Sequence, residues 1–234
     1  MKKLTFIALI IFFFIKANAQ SFEISVQANS GLSHYTGKRP VHSTFLNASA
    51  GTHGGYANGD GDILSPCYGV DVQWQYTFKF NFLIGTQLGY ELLSNKVDIN
   101  QVYAGAAGGT SATGYSDEHN GYFNFNPYLG YRFKLNKVRL DVLPGIEIAP
   151  GTNTFTTINV KAGDGAYYNK LSPYYGGAPA LEVRTRLGLA AYYQRYGITA
   201  SWSRGTDIRN YYADSPVPPE NMEIFRLGIS YRLR

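Results

Sequence analysis

From Tyr122 to Glu147 the chain reads YFNFNPYLGYRFKLNKVRLDVLPGIE. Phe123, Phe125, Pro127, Leu129, Tyr131 and Phe133 alternate with Asn124, Asn126, Tyr128, Gly130 and Arg132. After Lys134-Leu135-Asn136-Lys137 the alternation resumes, with Val138, Leu140, Val142, Pro144, Ile146 and Ile148 on one face. Arg139, Asp141, Leu143, Gly145 and Glu147 occupy the other. A period of two predicts strands, so the stretch reads as a hairpin with one apolar and one polar face. A soluble sheet turns its apolar face to a core. A membrane barrel does the reverse, with apolar side chains facing lipid and charge facing the lumen.

The rest of the chain repeats the pattern. Strand one begins at Phe22 and runs to about Leu32, with Phe22, Ile24, Val26 and Ala28 on its apolar face. Strand two, Tyr68 to Phe78, turns through Lys79-Phe80-Asn81 into strand three, which carries Phe82, Ile84, Leu88, Tyr90 and Leu92. The hairpin above supplies strands four and five. Strand six, Leu181 to Tyr193, turns near Gln194-Arg195-Tyr196-Gly197 into strand seven at Ile198 to Ser203. Strand eight groups Ile224, Phe225, Leu227, Ile229, Tyr231 and Leu233 against Arg226, Gly228, Ser230 and Arg232. Between them lie four long polar segments, about 34–65, 94–120, 150–180 and 204–221, which read as loops. Short and long connections alternate, as in outer-membrane barrels with short periplasmic turns and long extracellular loops. Strands of roughly 9–13 residues, tilted, match the hydrocarbon thickness.

Three features favour lipid over water. Aromatics gather beside the short turns: Tyr76, Phe78, Phe80, Phe82, Tyr131, Phe133, Tyr193, Tyr196 and Tyr231, the expected girdle at one membrane interface. The polar faces balance six acids, Glu23, Asp71, Glu91, Asp141, Glu147 and Glu182, against six arginines, Arg132, Arg139, Arg184, Arg186, Arg226 and Arg232. An eight-stranded interior is just wide enough to be filled by side chains, so charges there need partners, and arginine forks well onto carboxylates. The same faces carry Gly85, Gly89, Gly130, Gly145, Gly188 and Gly228, which leave room for the large arginines or mark bends. A soluble lipocalin-like barrel would carry the apolar face inside instead.

Composition agrees. Charged residues make up only 16% and aromatics 15%, with 26 glycines, which points to short strands and aromatic interfaces in one all-β domain. Residues 1–19 read as a cleaved signal peptide: Lys2 and Lys3, an apolar run from Leu4 to Ile15, then Ala17-Asn18-Ala19. An uncleaved anchor is the rival reading, and Lys16 is its support. The domain proper would span 20–234. Without Lys2, Lys3 and Lys16 the 21 basic residues fall to 18 against 16 acidic, a balance of +2 that gives no nucleic-acid argument. The single Cys67 excludes an intrachain disulfide and a thiolate metal cluster. Past the signal there is no apolar run of helix-spanning length, so any membrane crossing would need a closed barrel.

Asn126-Pro127-Tyr128-Leu129-Gly130-Tyr131-Arg132-Phe133 resembles the strand-and-turn pattern of small outer-membrane β-barrel proteins of Bacteroidetes-type bacteria, the PorT-like "outer membrane protein beta-barrel domain" group. So do Arg186-Leu187-Gly188-Leu189-Ala190-Ala191-Tyr192-Tyr193 and Leu227-Gly228-Ile229-Ser230-Tyr231-Arg232-Leu233. The resemblance implies an exported protein of the Gram-negative outer membrane and allows a role as accessory subunit of a secretion or uptake machine. The terminal Leu233-Arg234 departs from the aromatic ending common among barrels.

Candidate chemistry is sparse. His34, His42, His53 and His119 all fall in predicted loops, with Ser33 beside His34 and Glu118 beside His119. Outer-membrane lipid-A deacylases use His, Ser and Glu near the upper rim, but such neighbours arise by chance in polar loops. Asn58-Gly59-Asp60-Gly61-Asp62 echoes a calcium loop, yet Ile63 and Gly69 stand where glycine and a closing acid are needed. Tyr167-Tyr168, Tyr174-Tyr175 and Tyr211-Tyr212 suit a binding surface or an upper girdle. The sequence therefore predicts a non-enzymatic eight-stranded antiparallel up-and-down transmembrane β-barrel. No catalytic, cofactor or metal residues are assigned. The expected partners are outer-membrane lipid and lipopolysaccharide, with a protein at the extracellular loops and no nucleic acid. The alternatives are a lipid-A-modifying outer-membrane enzyme and an accessory subunit of a secretion or uptake complex.

Overall fold

The computed structural model describes residues 19–38, 40–48, 55–57, 59–104, 108–173, 181–206 and 220–233. The predicted signal lies outside them except for Ala19, as do His53, Asn58, Tyr174-Tyr175 and Tyr211-Tyr212. Among the described residues there are twelve strands: β1 (Ala19–Gly37), β2 (Ser43–Ala48), β3 (Gly55–Ala57), β4 (Ser65–Phe78), β5 (Phe82–Ala104), β6 (Thr110–Leu135), β7 (Val138–Ala149), β8 (Gly151–Ala162), β9 (Tyr167–Pro173), β10 (Glu182–Tyr193), β11 (Tyr196–Thr206) and β12 (Glu220–Arg232).

Eight of these close on themselves. In the order β1, β4, β5, β6, β7, β10, β11, β12 each pairs antiparallel with the next, and β12 pairs back onto β1 from Ser25↔Arg232 to Gly37↔Glu220. These are the eight strands predicted from the alternation. The turns joining them in pairs are tight, and each holds one residue at positive φ: Asn81 at 61°, Asn136 at 55° and Gln194 at 54°. Asparagine tolerates this left-handed conformation; glutamine has less reason to adopt it.

The predicted long loops need correction. The segment 94–120 is mostly strand, because β5 and β6 run on as a ladder from Ser94↔His119 to Val102↔Thr110. The segment 34–65 holds β2 and β3, and the segment 150–180 holds β8 and β9. Together they form an extension sheet, β3-β2-β5-β6-β8-β9, beyond one end of the ring. Its β2–β5 pairing is parallel, against the antiparallel expectation. Pro150 marks the break between β7 below and β8 above. Its carbonyl accepts from Phe123 N at 3.0 Å, beside the register shift at Gly121/Tyr122, and proline has no N–H to continue a ladder. The extension has a dry core of Leu46, Val97, Ile99, Val102, Ile158, Val160 and Ala162.

Inside the ring the usual distribution is inverted. Leu227 and Ile229 are 69% exposed, whereas Asp141, Glu147 and Arg184 are 0% exposed. One strand assignment fails: Ile224 belongs inside and is fully buried, because it shares parity with Arg226 and only Phe225 of the pair can face outward.

Candidate functional site: the charged interior

The lumen is filled in layers. Next to the tight turns, Arg132 from β6 forks onto two carboxylates at once. Its Nε and Nη2 donate to Asp141 at 2.7 and 2.8 Å, and its Nη1 and Nη2 donate to Glu23 at 2.9 and 2.7 Å. Arg232 joins them, with Nη2 3.1 Å from Asp141 and its guanidinium 3.5 Å from the Tyr192 ring centroid. Arg139 lies at the rim, 3.5 Å from Glu23 and one-third exposed.

Above this lies an amide layer. Gln73 donates to Gln75 at 2.8 Å and to Tyr128 Oη at 2.6 Å, Tyr128 donates to Gln75 at 2.9 Å, and Asn126 donates to Gln87 at 2.9 Å. Gln27 donates to Gln73. Asp71 accepts from Asn29 at 2.8 Å, and no described arginine pairs with it.

The third layer joins Arg184, Arg186 and Arg226 to Glu91, Glu147 and Glu182. Arg184 pairs with Glu91, with Glu147 at 2.6 Å and with Glu182 at 2.8 Å. Arg186 reaches Glu147 at 2.9 Å, and Arg226 reaches Glu91 at 2.7 Å and Glu147 at 3.2 Å. Over it sits an apolar lid of Tyr35, Cys67, Leu93, Tyr122, Ala149, Met222 and Ile224. A polar cavity of about 20 Å³ between the second and third layers has room for roughly one water.

Eleven of the twelve predicted charged residues thus stand in two ion-pair clusters, with Asp71 apart. The amide layer between the clusters was not singled out, although Gln27, Gln73, Gln75 and Gln87 lie on the same period-two face. The glycines make room for other groups than expected. A Cβ at Gly85 would strike Tyr128, one at Gly89 the Asp71 carboxylate, and one at Gly130 the Leu143 side chain. None of these three displaces an arginine.

The histidine expectations also change. His34 lies on β1 and His119 on β6, so their chain neighbours Ser33 and Glu118 point to the opposite face. Strand pairing instead brings Ser94 to His119, with Oγ 2.8 Å from Nδ1, while His119 Nε2 lies 3.7 Å from Asp117 Oδ2 and the ring stacks on Phe155. Only the cross-strand register could have revealed this trio. Ser94 is 3% exposed, so a nucleophile there is shut away from substrate. Of the Asn58–Asp62 stretch, Asn58 lies outside the described residues, and Gly61 meets β5, its N donating to Asn95 at 2.9 Å. Among the described residues no three His, Cys, Asp or Glu side chains are arranged to hold a metal ion.

No family model matches the chain, and no curated protein matches it. Among solved structures it is similar to Ail, the attachment invasion locus protein of Yersinia pestis, in complex with the heparin analogue sucrose octasulfate: 12% identity, TM-score 0.39, covering 92% of this chain and 100% of that one. It is also similar to Neisserial surface protein A, at 9% identity and TM-score 0.38, covering 91% of this chain and 99% of that one. At these values the likeness fixes neither the fold nor the function of this chain.

Proposed function

We propose that the chain is an integral outer-membrane β-barrel of a Gram-negative bacterium, non-enzymatic and non-conducting, which holds its extension sheet above the membrane as a binding surface. One observation carries this reading: a closed ring whose wall is apolar outside and ion-paired inside. In water, each fully exposed Leu or Ile forgoes about 1.5–3 kcal/mol of burial, summed over a whole belt. In lipid that penalty vanishes, and a closed ring leaves no strand edge open to the hydrocarbon. The tight turns and their aromatics, among them Phe80 at 85% exposure, mark the periplasmic interface, and the extension then faces the cell exterior. Lipopolysaccharide and phospholipid would surround the belt. The PorT-like resemblance belongs to the same proposal, and co-purification in mild detergent tests for a machine partner.

The test is insertion and conductance of the purified full chain. We expect it to require detergent, to fractionate with outer membranes and to give no steady conductance in planar bilayers. A freely water-soluble monomer overturns the membrane assignment, and a large stable conductance overturns the filled lumen.

A further inference from the structure

Exposed charge at the tight-turn end has one sign. Lys79, Lys134, Lys137 and Arg195 sit in or beside the three tight turns, and all four are exposed. The carboxylates at this end are Glu23 and Asp141, 8% and 0% exposed, and both are taken up by Arg132. Among the described residues none of the four exposed cations meets a carboxylate. At the far end both signs are exposed, as with Asp62, Asp164, Lys161 and Arg204.

Two of these cations share one stretch of wall. By strand register Leu135, Val138, Tyr193, Tyr196 and Tyr231 form a transverse row on the outer face, the last two with ring centroids 5.4 Å apart. Lys137 and Arg195 each lie one residue beyond this row, in turns whose strands β7 and β10 pair directly, about 4.8 Å apart. Arg139 Nη2 donates to the Gln194 carbonyl at 2.6 Å and pins one turn against the other. On the membrane side of the row lies an apolar groove of about 1080 Å³, whose lining includes Val138, Tyr193, Tyr196, Ile198, Ile229 and Tyr231.

Resting on the membrane reading above, which turns this end to the periplasmic, phospholipid leaflet, we infer that the Lys137–Arg195 rim and the groove form a binding site for a phospholipid with a net anionic headgroup, as in phosphatidylglycerol. The phosphodiester accepts from Lys137 and Arg195, and an acyl chain lies in the groove against Tyr196 and Ile198. A zwitterionic headgroup brings the same phosphate but also an ammonium, and this rim offers no carboxylate to receive it. The one-signed rim therefore selects the anion.

A tryptophan at the rim supplies the readout. The chain has two tryptophans, so Tyr196→Trp in a Trp74→Phe, Trp202→Phe background leaves one reporter, placed at the site. The full chain is inserted at low salt into mixed vesicles of phosphatidylglycerol and phosphatidylethanolamine, with one or the other brominated on its acyl chains. Brominated phosphatidylglycerol should quench the reporter more strongly, with a preference of about fivefold, the worth of roughly one cation at an anionic surface, and high salt should reduce it. Lys137→Gln combined with Arg195→Gln should abolish the preference. Lys79→Gln, on the turn across the ring, should leave it in place. Equal quenching in the parent, a preference unchanged by the double substitution, or one lost equally with Lys79→Gln overturns the site. A reporter quenched by neither lipid, in a chain soluble without detergent, overturns the membrane reading instead. Heat-dependent gel mobility shows that each variant is folded, and all the charge substitutions lie in exposed turns, clear of the interior layers.

Discussion

Arg226 grips Glu91 across 135 residues of chain, with Nη2 2.7 Å from Oε2 and Nε 2.9 Å from the same oxygen. That pair ties β12 to β5 through the middle of the ring, and both residues share partners with Glu147 and Arg184. Removing one member strands the others. Glu147→Leu leaves Arg184, Arg186 and Arg226 short of a carboxylate and should cost roughly 3–5 kcal/mol. Arg139→Ala, at the one-third-exposed rim, should cost less than about 1 kcal/mol. Urea unfolding of refolded protein in detergent or vesicles, followed by heat-dependent gel mobility, compares the two.

Cys67 sits in the apolar lid, 1% exposed. The thiol should resist a water-soluble maleimide in the folded protein and react once urea opens the ring. Labelling of the native state at the rate of a free thiol would mean that water reaches the lid, contrary to the filled interior.

Gln194 holds φ at 54° in the turn between β10 and β11, where Asn81 and Asn136 do the same work in the other two tight turns. A left-handed non-glycine residue costs roughly 1–2 kcal/mol. Gln194→Gly should therefore recover up to about 1 kcal/mol after the unfolded chain's added freedom is discounted, read as a higher urea midpoint. An unchanged or lower midpoint would show that the Gln194 backbone is not strained.

Asp117, on the extension above the apolar belt, has its carboxyl pushed above the usual carboxylate range, first by burial, with His119 and Lys96 pulling the other way. The folded state then binds this proton more tightly than the unfolded state. Its contribution to stability is full below the unfolded value and is lost as pH rises through the folded one. Asp117→Asn should stabilise the protein at pH 7 and make little difference in acid. Melting curves of the pair between pH 3 and 8 decide it, and a destabilised variant at pH 7 would mean that the His119 contact outweighs burial.

Much of the ring was legible because a period of two survives in every one of its strands, so Arg132, Asp141, Glu147 and Arg226 could be placed on one face from sequence alone. Parity also exposes the one inconsistency: adjacent Ile224 and Phe225 cannot share a face. The extension was hidden because its apolar residues are short runs, such as Val97 and Ile99 or Ile158 and Val160, set among Ser, Thr and Asn that read as loop chemistry. Which arginine meets which carboxylate was beyond reach, since pairs such as Arg232 with Glu23 join opposite ends of the chain. The Ser94–His119 contact needed the β5–β6 register, which no local pattern encodes.

The stack of guanidinium, amide and aromatic layers has a physiological corollary. If the chain spans the outer membrane as proposed, a cylinder packed this way adds wall to it without adding a hole. A cell carrying many copies should exclude hydrophilic antibiotics and nutrients as well as one carrying few, so dosage of this protein is uncoupled from leak.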